Sequence, residues 1–289
     1  MTDHPKASVI MGIYNCEETL QEAIESILAQ TYDNWELIMC DDGSIDQTYD
    51  VAKRYQERYP QKIKLLRNDR NMKLAFALNR CLAEASGELV ARMDADDLSC
   101  PERLQRQVCF LLGRPDIQLV GNAMRPFDAN GFHQIMRPHP NPNKQLLVRG
   151  APFFHATIMT YKHVYDALGG YSIEKRAERV EDVDLWFRFY AHGFVGANID
   201  EPLYEVREDL SAIRRRTLSA RIHSIQTRAV GYKLLGFPLR RLIKPAFVLF
   251  IKGLTPPCVT SFVKTIRTKS QRNNIVNPPR KTISDQSTK

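Results

Sequence analysis

The sequence predicts an α/β fold: a mostly parallel central sheet flanked by helices, followed by a C-terminal helical, basic extension. Apolar β-type runs alternate with helix-period segments four times before residue 113, the pattern of strand–helix crossovers. Polar clusters close three of those runs at their predicted carboxyl ends: Tyr14-Asn15, Asp41-Asp42 and Asp94-Ala95-Asp96-Asp97. Ligands of parallel sheets bind beyond those ends. Charge is also divided along the chain. From Lys233 onward there are twelve Lys/Arg against Asp285 alone, which leaves 29 basic and 32 acidic residues in 1–232.

Each element has a local reason. Residues 7–13 read as a buried strand, and Leu20, Ile24, Ile27 and Leu28 then recur on one helical face. Trp35 to Cys40 is a second strand, ended by the turn-forming Asp41-Asp42-Gly43-Ser44. Ser44-x-x-Gln47 has capping-box form and predicts a helix through about Tyr59. Ile63 to Leu66 is a third strand; a helix over Leu74 to Ala85 stops at Ser86-Gly87. Glu88 to Met93 is the fourth strand, and strand alternation puts Asp94 and Asp96 on one face. Ser99-x-x-Glu102 is a second capping box, opening a helix to about Leu112.

The second half is mixed. Gln118 to Val120 and Phe132 to Met136 read as strands, and Pro138, Pro140 and Pro142 mark a loop. Phe153 to Tyr161 reads as a strand containing His155, followed by a short helix that stops at Gly169-Gly170. Glu181 to His192 is a helix with an acidic first turn, and a short strand follows Pro202. The expected organisation is a body over 1–232, a basic amphipathic helical extension over 233–269 and a disordered tail over 270–289.

Composition excludes several classes. No segment reaches the ~18 apolar residues that span a bilayer, and the N-terminus lacks a basic-then-apolar signal. The six cysteines lack Cys-x-x-Cys spacing, which argues against zinc and for reduced thiols in the cytosol. The body is acidic and no recognised nucleic-acid motif occurs, so nucleic acid is not an expected partner. The basic extension fits an anionic membrane surface instead. Two carboxylates on one face repel unless a cation lies between them. Hard oxygen donors in that arrangement suit Mg²⁺ or Mn²⁺, which keep positions open for phosphates.

Taken together, Ser8-Val9-Ile10-Met11-Gly12-Ile13-Tyr14-Asn15, Asp41-Asp42-Gly43-Ser44, Asp94-Ala95-Asp96-Asp97, His155-Ala156-Thr157, Gly169-Gly170-Tyr171 and Glu181-Asp182-x-x-Leu185-Trp186 form a joint pattern. Residues 7–208 resemble the family 2 glycosyltransferases with the GT-A fold. Within that family the stretch from Gly169 to Asp209 is most similar to the EpsE type of Gram-positive exopolysaccharide and biofilm-matrix clusters.

The resemblance implies a metal-dependent, inverting transfer of a sugar from a nucleotide-diphospho-sugar, UDP-linked by preference, to a polyprenyl-diphosphate-linked saccharide. It implies Mn²⁺ or Mg²⁺ on Asp96 and Asp94, with the choice between Asp96 and Asp97 left open. Tyr14, Asn15, Asp42, Asp94 and Asp96 would bind the nucleotide-sugar, and Asp182 would be the catalytic base. His155, Glu181, Trp186 and Arg207 would lie on the acceptor or diphosphate side, with Arg214 to Arg216 a further phosphate clamp. His155 is equally readable as a satisfied core histidine, and the Arg run as a solvated face. Location would be cytoplasmic, peripheral on the inner face of the cell membrane. The EpsE likeness also implies a docking role on a flagellar motor protein, beside or in place of catalysis. One departure stands out: many members carry Gly in the loop before the third helix, where this chain has Asn71-Met72-Lys73.

Overall fold

The structure, a computed structural model, describes residues 4–208, 218–243 and Phe247. Its first half is the expected crossover unit. Strands β1 (Ala7–Ile13), β2 (Trp35–Asp41), β3 (Ile63–Arg67) and β4 (Leu89–Arg92) alternate with helices α1 (Leu20–Leu28), α2 (Thr48–Arg58) and α3 (Leu74–Glu84). All four strands pair in parallel, with β1 between β2 and β4. Every residue of β2 and β4 is buried, which explains why these strands read as continuous apolar runs rather than alternating ones.

The chain then adds β5 (Leu98–Ser99), α4 (Arg103–Gly113), β6 (Leu119–Asp128), β7 (Gly131–Phe132), β8 (Met159–Tyr161), α5 (Lys162–Leu168), α6 (Glu181–Ala191), β9 (Gly196–Arg207) and α7 (Leu218–Leu234). One nine-stranded sheet results, ordered β3-β2-β1-β4-β8-β6-β9-β5, with β7 paired to β6. The strands beyond β4 are mixed: β8 is antiparallel to β4 and β6, β5 to β9 and β7 to β6, while β6 and β9 are parallel. The expectation of a mostly parallel sheet therefore holds for the first four strands. Beyond them several connections are loops and short turns rather than helical crossovers, and these allow antiparallel neighbours.

The strand order positions the site. From β1 the chain steps to β2 and β3, then returns to place β4 on the other side of β1. That reversal opens a crevice at the carboxyl ends of β1 and β4. Tyr14-Asn15, Asp42 and the acid cluster follow β1, β2 and β4, three strands that lie side by side.

Four local expectations need correction. The Ser44 capping box does not form: the Ser44 hydroxyl accepts the Asn15 N–H at 3.0 Å, and α2 begins at Thr48, whose N–H bonds Asp46 Oδ1 at 3.0 Å. Ser99 likewise belongs to β5 and accepts from Gln30 Nε2 at 3.2 Å, with α4 starting at Arg103. In both cases a tertiary partner takes the hydroxyl before the helix can. β4 ends at Arg92, so Asp94 and Asp96 sit in the following turn and are not aligned by strand alternation. His155 lies in a 3₁₀ turn, His155–Thr157, ahead of β8 rather than within a strand.

Helix α7 runs past position 233, where the sequence places the start of the extension, and Tyr232 and Phe237 are buried. Arg214 to Arg216, the rest of the expected extension beyond Phe247 and the tail lie outside the described residues. Among the described residues no helix is long and apolar enough to cross a membrane.

Candidate nucleotide-sugar site

Two cavities meet at Gly12 and Tyr14, over the end of β1. One, of about 450 Å³, is lined by Asn15, Asp94 and Asp96 among others. The other, of about 760 Å³, is lined by Asp42, Lys73, Lys175, Arg179 and Glu181 among others. Tyr14 borders both and is 45% exposed, so its ring offers a flat apolar face to a planar ligand.

The turn after β4 gathers the acids. One carboxylate oxygen from each of Asp94, Asp96 and Asp97 lies within 4.8 Å of the others. Burial, then the charges of Asp94 and Asp96, pushes the Asp97 carboxyl well above the usual carboxylate range. Three hard oxygen donors crowded against mutual repulsion fit a divalent cation, whose charge would relieve that repulsion. The three acids differ in placement. Asp94 and Asp96 line the smaller cavity. Asp97 is buried and braces the turn, its Oδ1 accepting the Arg207 N–H at 2.8 Å. Asp94 is gripped by the Arg92 guanidinium, and its own N–H bonds the Tyr204 hydroxyl at 3.0 Å.

Asp42 closes the neighbouring strand end. Its oxygens accept Asn68 Nδ2 at 2.7 Å, the Met72 N–H at 2.8 Å and the Lys73 N–H at 2.8 Å. Gly43 beside it has φ 73°, and a Cβ there would meet the Arg70 backbone at 2.8 Å, so only glycine fits. The departure noted in this loop now has a geometry: Lys73 has φ 77° and ψ 160°, a region otherwise reserved for glycine and worth about 1–3 kcal/mol of strain. Asn15 is also left-handed, with φ 47°, and its Oδ1 accepts the Ile45 N–H at 3.0 Å.

On the far wall stand the two acids that open α6, where three acids in the first turn suit the helix dipole. Glu181 lines the larger cavity, and burial, then Asp182, pushes it up to about 7. Asp182 sits behind it, outside the lining of both cavities, with Oδ1 accepting the Val183 N–H at 2.8 Å. Burial raises Asp182, while the charges of Arg92 and Arg228 oppose that rise. Asp184, one residue pair on, is structural: Arg176 and Arg188 each meet it at 2.6 Å.

The other three acceptor-side candidates line neither of these two cavities. Trp186 is 0% exposed and packs edge-on to Phe153 at 5.1 Å. His155 is bonded to the Tyr171 hydroxyl at 2.9 Å and stacked on its edge against Trp186; burial, then Arg92, holds it well below the usual imidazole range and hence neutral. Arg207 spends its guanidinium on the Asp96 carbonyl (3.0 Å) and on Glu22, lying over Phe127 at 4.7 Å. It steadies the acid turn from behind. Sequence reasoning missed Arg92, Tyr204 and Arg228. Arg92 had a signal, since it lies two residues before Asp94. Tyr204 and Arg228 had none, since Tyr204 reaches Asp94 across 110 residues and Arg228 comes from a helix 46 residues beyond Asp182.

Comparison with known proteins identifies the family and the fold. The sequence profile of Glycosyl transferase family 2 matches residues 8–176. EpsE of Bacillus subtilis (strain 168), a protein assigned to the glycosyltransferases, is 44% identical over 96% of this chain and 99% of its own. An Escherichia coli UDP-Gal:α-D-GlcNAc-diphosphoundecaprenol β-1,3-galactosyltransferase is 30% identical over 74% of this chain and 78% of its own. Among solved structures, the mannosyltransferase PcManGT from Pyrobaculum calidifontis in complex with GDP-Man and Mn²⁺ aligns with a TM-score of 0.61 at 20% identity, covering 87% of this chain and 70% of that one. It shares the fold.

Proposed function

This chain belongs to glycosyl transferase family 2, and from that premise we propose that it transfers a sugar from a UDP-sugar to a polyprenyl-diphosphate-linked saccharide, with inversion at the anomeric carbon. The reading is carried by one observation. Two cavities join at Tyr14, one edged by Asp94 and Asp96 and the other by Glu181, with Asp182 behind it. A metal-ligand set and a pair of acids thus flank the same floor. The lipid-linked acceptor is supported by the galactosyltransferase relative, whose name carries a diphosphoundecaprenol acceptor.

In this mechanism the Tyr14 ring stacks on the base, and Asp42 accepts its N–H through a remaining lone pair. Asp94 meets the ribose, oriented by Arg92. Asp96 and Asp94 would hold a divalent cation, Mn²⁺ or Mg²⁺, which when bound would supply positive charge against the donor diphosphate. Asp182 takes the acceptor hydroxyl proton as that oxygen attacks the anomeric carbon from the face opposite the nucleotide. Burial raises the Asp182 carboxyl above the usual carboxylate range, as suits a proton acceptor, and the charges of Arg92 and Arg228 limit that rise. Glu181, at about 7, carries a proton for part of the time near neutrality and can donate a hydrogen bond to the acceptor.

Membrane association is part of the same proposal. Leu234, Leu239, Ile243 and Phe247 are exposed, and Arg240 and Arg241 are interspersed with them in sequence, a composition that fits an anionic interface. The function is tested by transfer assays with UDP-sugars, Mn²⁺ and a polyprenyl-diphosphate-N-acetylglucosamine acceptor. Asp94→Ala and Asp182→Asn should each lower turnover roughly a hundredfold or more, and Glu181→Gln by much less. Full transfer by Asp182→Asn would remove the base assignment. A purely docking protein would keep its partner through all three substitutions.

A further inference from the structure

Among the described residues three that are not glycine have a positive φ: Asn15, Lys73 and Arg179. All three line the cavities over β1, Asn15 the smaller one, Lys73 and Arg179 the larger. Such backbone costs about 1–3 kcal/mol and gathers where a ligand is held. Asn15 has a local return for it, since its side chain takes the Ile45 N–H. Lys73 has none. Its N–H bonds Asp42 at 2.8 Å, a bond that glycine makes equally well without strain. What lysine adds is an ammonium on the cavity wall, and among the described residues that ammonium has no hydrogen-bond or ion-pair partner.

Two segments, 71–77 and 172–181, supply most of the wall of the larger cavity. Asn79 of α3 ties them together, its side chain bonding both the carbonyl and the N–H of Tyr171 at 2.8 Å. From the second segment Lys175 brings another ammonium without a partner among the described residues. Of the carboxylates on the wall, Asp42 already accepts three hydrogen bonds and Glu174 pairs with Arg176 at 2.8 Å. That leaves Glu178 and Glu181 against Lys73, Lys175 and Arg179. The same wall shows apolar side chains to solvent: Ile173 is 67% exposed and Met72 38%. Ammoniums and bare apolar groups on one cavity suit a ligand with an anionic head and an apolar chain. We propose that Lys73 and Lys175 hold the diphosphate of a prenyl-diphosphate-linked acceptor, with its first isoprene units against Met72 and Ile173. This rests on the lipid-linked acceptor of the function proposed above and gives that acceptor a place. The donor diphosphate has its own seat at the Asp94–Asp96 turn, in the other cavity. A donor sugar bearing a carboxylate would answer the ammoniums but would leave Met72 and Ile173 without a role.

Farnesyl diphosphate is the probe, because it carries head and chain whatever sugar follows. It is titrated calorimetrically into the full chain with UDP and Mn²⁺ present, beside inorganic pyrophosphate. Farnesyl diphosphate should bind at least about tenfold more tightly than pyrophosphate. Lys73→Gly and Lys175→Gln should each weaken it about tenfold and leave UDP affinity unchanged. Lys73→Gly keeps the N–H on Asp42 and relieves the backbone, so its loss of binding is not a loss of fold. Ile173→Ser should weaken farnesyl diphosphate severalfold and pyrophosphate not at all. The proposal is overturned if farnesyl diphosphate fails to bind, or if both lysine variants bind it as the wild type does. It is also overturned if those variants lose UDP, or lose a preference for UDP-glucuronate over UDP-glucose, since the ammoniums would then serve the donor. Asp96→Ala separates the two sites: it should keep farnesyl diphosphate, and losing it would put the probe on the acid turn and overturn the proposal. A wild type that binds no UDP with Mn²⁺ would sink the donor site, and the lysine variants would still decide this one.

Discussion

The Asp97 carboxylate accepts the backbone N–H of Arg207 at 2.8 Å, joining the turn after β4 to the end of β9 across 110 residues. Arg207 returns the contact through Nε to the Asp96 carbonyl at 3.0 Å. The acid turn is therefore held from behind by Asp97 and faces the cavity with Asp94 and Asp96. This division predicts two kinds of mutant. Asp97→Ala should weaken Mn²⁺ binding roughly 10–100-fold by loosening the turn, and Asp97→Asn should recover most of that loss because its oxygen still accepts the Arg207 N–H. Asp96→Asn should not recover the loss of Asp96→Ala, since a neutral amide is a poorer ligand. Calorimetric Mn²⁺ titration in the presence of UDP checks the order; equal behaviour of Asp96→Asn and Asp97→Asn would contradict it.

Lys73 holds a glycine conformation to keep its N–H on Asp42. Lys73→Gly should release about 1–3 kcal/mol of strain, offset by about 1 kcal/mol of added chain entropy in the unfolded state. A net gain of about 1 kcal/mol in urea unfolding is expected. Lys73→Ala keeps the strain and should show no gain.

Glu181 contributes a pH dependence of opposite sign to most surface carboxylates. Its carboxyl, pushed up to about 7, lies above the ordinary glutamate value of 4.5. The folded state then binds the extra proton between these values, so the group's contribution falls as pH rises from about 4.5 through 7. Glu181→Gln removes that penalty. It should be more stable than wild type by of order 1–3 kcal/mol at pH 8 and equal to it at pH 4, as read by denaturant midpoints at the two pH values. Glu36 behaves conversely. Burial opposes its charge, but hydrogen bonds from Ser8, Ser86 and Lys6 win and hold it at about 2, so its contribution is full above about 4.5 and is lost as pH falls toward 2.

Much of this was legible in the residues. β1 to β4 and their helices followed from apolar runs and helical spacing, and the polar strand ends located the crevice. What failed were claims that depended on one local partner. Ser44 and Ser99 look like helix caps in sequence, but Asn15 and Gln30, distant in the chain, take those hydroxyls. Strand alternation explained Asp94 and Asp96 only until β4 proved to stop at Arg92. His155 and Trp186 sit within shared motifs, and the motif does not distinguish a residue that meets ligand from one that packs beneath it. Burial decides that, and burial is set by the whole sheet.

Trp186 gives the clearest case. It is fully buried, and its indole N–H has no hydrogen-bond partner among the described residues. Trp186→Ala should cost about 3–5 kcal/mol through the cavity it leaves. Trp186→Phe loses no hydrogen bond and should cost under about 1.5 kcal/mol, with the acceptor KM unchanged. A large KM change with unchanged stability would place Trp186 at the acceptor after all.

The central claim is that a nucleotide-sugar binds against the Asp94–Asp96 turn with a divalent cation. The most direct measurement is calorimetric titration of the full chain with UDP-glucose, UDP-galactose and UDP-N-acetylglucosamine, with and without Mn²⁺, beside Asp96→Ala. At least one UDP-sugar should bind the wild type only with Mn²⁺ and fail to bind the variant. Binding that ignores both Mn²⁺ and Asp96, or no binding of any UDP-sugar with Mn²⁺ present, would contradict the account.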